Sequence, residues 1–190
     1  MSSVVEICNR ALQKLGAKRI TSITEDSNNA RACNVAYGPV RLALLRAHPW
    51  SCAVAREQLA ASSTEPLFGK AYSYPLPSDY LRLLPPDPEY NLNSNDWQIE
   101  GGEIYTNDSA PLDVRYIFDL EDPNIMDPLF REALSTKLAL ELCEEITQSN
   151  SKKESLKDDF RESIKDAKRV NAILNIAAKP PEDEWVTIRN

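Results

Sequence analysis

Prolines divide this chain into three parts with different folding possibilities. Eight of the 13 prolines lie between residues 61 and 125. Proline lacks the backbone donor and clashes with the preceding helical turn, so a long helix in this stretch is excluded. The two flanking stretches instead carry apolar residues at helical spacing. The pattern predicts a helical region, a β-rich insertion and a second helical region.

The first helical region predicts two helices. Gly16 stands where a helix C-cap glycine belongs, and Asp26 and Ser27 are both candidate N-caps for the next helix. Apolar residues at spacings of 4, 3, 4 and 3 predict that this second helix runs over about residues 28–48. Gly38-Pro39 falls inside it and predicts a kink or a break.

The middle region shows the alternation typical of strands. Residues 50–56 alternate between larger and smaller side chains, which predicts a strand or an extended segment beginning at Trp50. Gly101-Gly102 separates two short β-like runs and predicts a two-residue hairpin. Leu112 to Phe118 alternate again, predicting a strand with one apolar face.

The last region predicts two further helices. Asp127 is the expected N-cap of the first, with Pro128 at the first helical position. Ser151 and Glu154 have capping-box spacing ahead of the second, and Pro180-Pro181 should end it. The apolar face predicted for this last helix consists of Leu156, Phe160, Ile164, Ala167, Ile173 and Leu174.

These elements predict an α+β fold that is mainly α. We expect an antiparallel helical bundle core of about four helices with a small antiparallel β-module inserted and an extended C-terminal tail. The expected boundaries are 1–58 for the N-terminal helical part, 59–125 for the β-module, 126–178 for the C-terminal helical hairpin and 179–190 for the tail.

Charge is distributed unevenly along the chain, whose net charge is −7. Residues 1–60 contain eight Lys/Arg and four Asp/Glu, whereas residues 61–128 contain three and thirteen. An acidic chain is poorly suited to gripping nucleic acid through a broad basic face, because that binding depends on neutralising phosphates. The last helix mixes both signs at helical spacing, which predicts a solvated face.

Composition also bears on the compartment. No apolar run reaches the roughly 20 residues that span a bilayer, and the N-terminus lacks the order of a signal peptide. Four widely spaced cysteines predict free, buried thiols in a reducing compartment. We therefore expect a protein made in a cytoplasm that does not enter a membrane.

The sequence offers little catalytic chemistry. His48 is the single histidine. We interpret it as a side chain that interacts with a helix C-terminus rather than as the base that activates a nucleophile. Five glycines form no phosphate-binding motif, and no ligand cluster suggests a metal. We therefore expect no enzymatic activity, no cofactor and no metal. Only a glycosidase-type carboxylate pair stays open, and its candidates are Asp79, Glu100, Glu103 and Asp108.

Five blocks of the sequence occur together in an order that is characteristic of one family. The first block is LLRAHPWSCAVAREQLA, followed by YPLPSDYLRLL, WQIEGGEIYTN, LDVRYI and DPLFREALSTKLALELCEEITQS. In these blocks the chain resembles the tail tubular protein A family, the head-to-tail adaptors of short-tailed phages. The resemblance covers roughly residues 1–172. Ser51-Cys52 departs from the Asn-Phe or Asp-Phe that usually follows the Pro-Trp.

The resemblance implies a structural protein of the virion tail. Such adaptors form a ring of about twelve subunits by heterologous, head-to-tail interfaces. The ring joins the portal protein to a nozzle of the tail tubular protein B type, with tail fibres attached nearby. It completes the channel that retains the packaged DNA and passes it outward without sequence-specific binding. The opposite charge balances of residues 1–60 and 61–128 suit such pairing.

Two groups of residues are candidates for this role. Acidic residues of the β-module are expected to line the channel and to repel DNA. These are Asp96, Glu100, Glu103 and Asp108. The tail alternates apolar and polar residues after a diproline, and this pattern predicts an anchor on the portal or on a neighbouring subunit; a disordered end is the alternative. The candidate anchor residues are Trp185, Val186, Ile188 and Arg189.

Two other classes of function stay open at this stage. One is a virion-associated glycan or peptidoglycan hydrolase that uses Asp/Glu pairs, alone or as a second activity. The other is a cytoplasmic helical binding module unrelated to virions.

Overall fold

A computed structural model describes residues 2–85 and 97–174. Within these residues it has four α-helices and two three-stranded antiparallel sheets, so the predicted α+β class is confirmed. The helices are α1 (Val4–Leu15), α2 (Asn28–Ala47), α3 (Pro128–Thr147) and α4 (Asn150–Leu174). The strands are β1 (Val54–Leu59), β2 (Tyr72–Pro75), β3 (Tyr80–Leu83), β4 (Gln98–Glu100), β5 (Glu103–Thr106) and β6 (Leu112–Phe118).

Local capping chemistry sets most helix ends where the sequence predicts them. Gly16 ends α1 in the left-handed conformation with φ of 72°, which glycine adopts without a Cβ penalty. The Ser27 hydroxyl accepts the backbone N–H of Ala30, so Ser27 is the N-cap of α2. The Asp127 carboxylate accepts two backbone N–H groups at the start of α3, with Pro128 as the first helical residue.

Of the kink or break predicted at Gly38-Pro39, the break is wrong, because helix α2 continues through Pro39. Proline at this position deprives the carbonyl of Val35, one turn earlier, of its helical donor. Pro39 lies on the exposed face, and the Val35 side chain is 76% exposed. Water can therefore solvate the carbonyl that the proline leaves unpaired.

The capping box predicted at Ser151 and Glu154 is also wrong. Helix α4 begins at Asn150, and the Ser149 hydroxyl accepts the backbone N–H of Lys152. Gln148 ends α3 in the left-handed conformation, so α4 starts almost at once and the capping position falls two residues earlier. Glu154 instead accepts a hydrogen bond from Lys157 at 2.7 Å, as expected for a solvated helix face.

Helix α3 occupies the centre of the helical part of the molecule, because it contacts α1, α2 and α4. It buries residues all round its circumference, including Ser135 and Thr136, whose hydroxyls both donate to the carbonyl of Glu132. A helix buried on several sides serves as the element around which the others pack.

The predicted apolar face of α4 is only partly correct. Leu156 and Ala167 are buried, but Ile173 and Leu174 are 72% and 64% exposed. Asn171 is buried in their place. The last turns of α4 thus face the molecule through a polar side chain. The predicted helix end at Pro180-Pro181 and the tail lie outside the described residues.

The strands form two sheets with the orders β1-β6-β3 and β2-β5-β4. Side chains of the two sheets pack together in one buried cluster. Its members are Leu59, Tyr74, Ile104, Leu112, Val114 and Tyr116. Strand β6 buries Leu112, Val114 and Tyr116 of the predicted face and leaves Phe118 half-buried; it also buries Ile117, which lies in the helical core. This strand therefore joins the two cores.

The strand predicted from Trp50 onward begins later than expected. Residues Ser51–Ala53 form a single 3-10 turn, and β1 starts at Val54. The Trp50 carbonyl accepts the backbone N–H of Ala53 at 2.9 Å, which is turn rather than strand geometry. Strand β1 pairs in register with β6 from Val54↔Ile117 to Leu59↔Leu112, so it crosses the expected boundary between residues 58 and 59.

Candidate interaction surfaces

Two of the predicted acidic residues face each other across a hairpin. The turn Gly101-Gly102 joins β4 to β5 with φ of 58° and 88°, and Glu100 is paired with Glu103. The Tyr105 hydroxyl donates to Glu103 at 3.2 Å, and this hydrogen bond raises the pKa of Tyr105. The pairing of β4 with β5 across this turn confirms the predicted hairpin.

The other predicted acidic residues lie elsewhere. Asp108 follows β5 at the end opposite the turn, where its carboxylate accepts the Thr106 hydroxyl at 3.2 Å. Asp96 lies outside the described residues, and so do Trp185, Val186, Ile188 and Arg189.

A concave surface of about 470 Å³ lies beside the hairpin, under the loop of residues 60–71. The loop is tied to the sheet by the backbone N–H of Ser62, which donates to the Ser73 carbonyl at 2.8 Å. Among the side chains that line the concavity are three carboxylates and one ammonium group. These are Glu65, Glu100, Glu103 and Lys70.

Asp79, the remaining candidate for a carboxylate pair, belongs to a different setting. The Tyr116 hydroxyl lies 3.1 Å from Asp79 and 3.2 Å from Glu57. Burial, followed by the hydrogen bond and negative charge of Asp79, raises the pKa of Tyr116 above its ordinary value. Both carboxylates lie within hydrogen-bond distance of the Tyr116 hydroxyl. These contacts connect β1, β6 and the segment before β3.

A buried ion pair connects α2 to the segment that follows β6. The Arg41 guanidinium lies 2.7 Å from the Asp119 carboxylate and 3.4 Å from Glu121, with only 9% of the Arg41 side chain exposed. Burial raises the pKa of Asp119. The positive charge of Arg41 lowers this pKa, and the negative charges of Glu121 and Asp79 raise it further. Removing one partner of such a pair would leave an uncompensated buried charge.

The His-Pro-Trp segment forms a packed junction between α2, α3 and α4. Trp50 is fully buried, donates to the Leu44 carbonyl at 2.9 Å and packs edge-to-face on Phe130 at 5.0 Å. The His48 ring packs on Trp50, and its Nε2 lies 3.1 Å from the amide nitrogen of Asn171.

Asn171 also donates to the Pro49 carbonyl at 3.0 Å and accepts the backbone N–H of Ser51 at 2.8 Å. Burial, then the positive charges of Lys168 and Arg82, lower the pKa of His48. The histidine therefore takes part in a structural contact with α4. Sequence reasoning missed Asn171, although a polar residue at a core-facing position of the α4 stripe was a signal that could have revealed it.

Exposed apolar side chains mark two further places that the sequence did not single out. Leu67 and Phe68 are adjacent at the tip of the 60–71 loop and are 97% and 87% exposed. Val170, Ile173 and Leu174 lie on one face at the end of α4. Both groups are candidates for contact with another protein.

The four cysteines lie in or against the core of the helical region. All four cysteines are free thiols; Cys8, Cys33 and Cys143 are buried as predicted, whereas Cys52 is half-buried. In residues 2–85 and 97–174, no three His, Cys, Asp or Glu side chains are grouped as a metal site requires. Across the same residues, no helix has both the length and the apolar character needed to cross a bilayer.

Comparison of the sequence with models of known protein families finds no match, and comparison with curated proteins finds none either. The assignment of a function therefore depends on the sequence blocks and on the surfaces described above.

Proposed function

We propose that this chain is a head-to-tail adaptor subunit of a short-tailed phage, a structural protein rather than an enzyme. It would form a ring of about twelve copies between the portal protein and the tail nozzle, near the attachment of the tail fibres. The ring would continue the DNA channel for retention and ejection of the genome. The observation that carries this proposal is the ordered set of five sequence blocks, which resemble those of the tail tubular protein A family.

The places of these blocks in the fold support the proposal. The His-Pro-Trp block supplies the buried junction around Trp50. The WQIEGGEIYTN block covers the β4–β5 hairpin, and the DPLFREALSTK block begins the central helix α3. We further propose that the four helices form an antiparallel bundle core, which the packing of α1, α2 and α4 on α3 supports.

In this ring the hairpin carboxylates would line the DNA channel. Glu100 is exposed at the β4–β5 turn opposite Glu103. Asp108, beyond the other end of β5, and Asp96, outside the described residues, are the other two residues that we propose line the channel. Like charges along a channel repel the phosphate backbone, so that DNA slides without adhering. A ring structure whose channel is lined mainly by lysine and arginine would contradict this part of the proposal.

The C-terminal residues would anchor the subunit on the portal or on a neighbouring copy. Trp185, Val186 and Ile188 alternate with polar residues, a pattern that suits strand addition to a partner, and Arg189 would add a charged contact. Deletion of residues 180–190 should therefore weaken portal binding at least tenfold. Unchanged binding by the truncated chain would refute the anchor.

The direct test is to mix the purified chain with the portal protein of the same phage. Size-exclusion chromatography with light scattering should show a complex, and electron microscopy should show a ring on one face of the portal. A chain that stays monomeric at micromolar concentrations with portal present would refute the adaptor role.

The same preparation separates this role from hydrolysis. The paired variant Glu100→Gln/Glu103→Gln should still form the portal complex, because the substitution keeps the size of both side chains. Neither it nor the wild-type chain should clear a peptidoglycan or polysaccharide overlay. Clearing by the wild type that the variant lacks would favour the hydrolase.

A further inference from the structure

The last two turns of α4 are held on the molecule by one side chain. Among residues 168–174, Asn171 is the only one that is buried, with 9% of its surface exposed. The large apolar side chains of these turns are between 38% and 72% exposed, so they add little apolar burial. Ala167, one turn before Asn171, is the last apolar residue of α4 that is buried. The attachment of this end therefore depends on the polar contacts of Asn171.

Contacts with the backbone fix the orientation of the Asn171 amide. Its Oδ1 accepts the backbone N–H of Ser51 at 2.8 Å, and its Nδ2 donates to the Pro49 carbonyl at 3.0 Å. A backbone N–H can only donate, and a backbone carbonyl can only accept. Exchange of the two amide atoms would set nitrogen against the N–H and oxygen against the carbonyl. Only one orientation of the amide therefore satisfies both contacts.

This orientation determines the protonation state of His48. The amide nitrogen Nδ2 of Asn171 also lies 3.1 Å from His48 Nε2. Since Nδ2 is a donor, Nε2 has to accept, and an imidazole nitrogen accepts only when it carries no proton. The contact is thus made by the neutral ring with its proton on Nδ1.

Protonation of the ring would turn this contact into a repulsive one. The imidazolium carries a proton on both ring nitrogens, so His48 Nε2 and Asn171 Nδ2 become two donors that face each other. The amide cannot turn over to present Oδ1 to the ring without losing both backbone contacts. A buried donor that loses its acceptor is costly. The imidazolium therefore opposes the bound position of Asn171.

The surroundings of the ring also disfavour its positive charge. The charged side chains that act on His48 come from α4 and β3, where Lys168 and Arg82 are both positive. Towards α3 the neighbours are aromatic, because Trp50 packs against His48 and against Phe130. Burial, followed by the two positive charges, lowers the pKa of His48 below its ordinary value of 6.5. The packed junction thus holds the ring in its neutral form at neutral pH.

We propose that His48 and Asn171 form a proton-sensitive contact that controls the end of α4. When Nε2 of His48 takes up a proton from solvent, Asn171 leaves the junction and residues 168–174 open. The earlier part of the helix stays in place, because Leu156 and Ala167 are buried without help from the histidine. The contact lies within one chain, so the inference does not depend on the adaptor role. In the proposed adaptor, the opened turns lead directly to the C-terminal anchor.

Proton linkage sets the size of the effect. A ring that has left the junction regains its ordinary pKa of 6.5. At about pH 5.5 roughly ten such rings are then protonated for each neutral one, and at about pH 7.5 the ratio is reversed. Acidification over this range therefore favours the open state by at most about tenfold. The full effect requires that the ring in the closed state stays neutral throughout.

Hydrogen exchange of the α4 amides in the full-length chain, followed by NMR, tests the contact. The protection of residues 168–174, corrected for the intrinsic exchange rate at each pH, should fall about three- to tenfold between about pH 7.5 and 5.5. Residues 152–160 of the same helix are the internal control and should keep their protection. An equal fall in both segments would mean that the whole helix loosens and would overturn the inference.

Two variants separate this contact from other effects of acid. His48→Gln removes the titrating ring, so the protection of residues 168–174 should be the same at both pH values. Lys168→Glu replaces a positive charge near the ring by a negative one, which favours the imidazolium in the closed state and should reduce the fall in protection. Lys165→Glu is the matched control, because Lys165 is exposed one turn earlier on α4, and it should behave as the wild type.

Two results would contradict the proposed contact. A fall in protection that persists in His48→Gln assigns the opening to another titrating group. Unchanged protection of the wild type between the two pH values shows that the imidazolium and the bound Asn171 coexist. Lys168 is exposed, so Lys168→Glu keeps the test available if His48→Gln does not fold. The portal protein takes no part in these measurements, so loss of the adaptor role would leave their outcome unchanged.

Discussion

Substitution of Asn171 by alanine would test how α4 is held on the rest of the molecule. The amide of Asn171 donates to the Pro49 carbonyl, lies within hydrogen-bond distance of His48 Nε2 and accepts the backbone N–H of Ser51. Asn171 itself is buried, with 9% of its surface exposed. The substitution removes all three contacts at once from a junction that also contains the buried Trp50.

The expected cost follows from the number and burial of these bonds. A hydrogen bond contributes about 0.5–1.5 kcal/mol net, and a buried group that loses its partner costs about 1–3 kcal/mol. Alanine gains some helix propensity, which offsets about 0.5 kcal/mol. We therefore expect Asn171→Ala to lower the free energy of unfolding by about 2–4 kcal/mol, or the Tm by roughly 4–16 °C for a chain of this length.

Urea unfolding followed by circular dichroism measures this loss. Asn34→Ala is the matched control, because Asn34 is an exposed residue of helix α2 and loses no described contact. The control should be neutral or slightly stabilising, within about 0.5 kcal/mol. If the two substitutions have the same effect, the Asn171 bonds do not hold α4 and the reasoning is refuted.

Three further predictions concern pH, the core and the backbone. The lowered pKa of His48 means that the unfolded chain binds the proton more readily, so the wild type should lose stability as the pH falls below 6.5. The variant His48→Gln should lack this loss between about pH 7.5 and 5.5. If the free energy of unfolding changes with pH in the same way in both proteins, the prediction is wrong. Leu138→Ala, at a fully buried site, should cost about 2–5 kcal/mol in chemical unfolding. Leu67→Ala, at an exposed site, should change stability by less than about 0.5 kcal/mol. Comparable losses for the two leucine variants would show that burial does not determine the cost of the substitution. Gly102→Ala should destabilise by about 1–2 kcal/mol, because φ at Gly102 is 88°. Gly102→Asn should cost less than Gly102→Ala, because asparagine visits the left-handed region more readily than alanine, and thermal melts that reverse this order would disprove the argument.

Features decided by neighbouring residues could be predicted from the sequence. Gly16, Ser27 and Asp127 end or begin helices where expected, because each satisfies backbone groups within a few residues of itself. The hairpin at Gly101-Gly102 follows the same logic, since only residues that tolerate positive φ suit its turn.

Features decided by distant residues could not be predicted in this way. Trp50 alternates with its neighbours as a strand would, yet its indole is drawn into the core by Leu44 and Phe130, and a 3-10 turn results. Pro39 is tolerated inside a helix because it falls on the exposed side, a fact set by the packing of α2. The candidate surfaces also depend on the packing of distant residues. The Leu67-Phe68 tip and the α4 end are defined by exposure, which no local pattern contains.

The sequence by itself determined the four helices and most of their predicted ends, the β4–β5 hairpin, strand β6 and the resemblance that suggests the role of this protein. Periodicity and capping are short-range, so the information for them lies within one or two turns of the chain. Only the tertiary structure decided that β1 pairs with β6 and that Asn171 and not Ile173 faces the junction. Burial of an α4 residue depends on side chains over one hundred positions away, and the free energy of burial depends on the surface removed from water rather than on position in the chain.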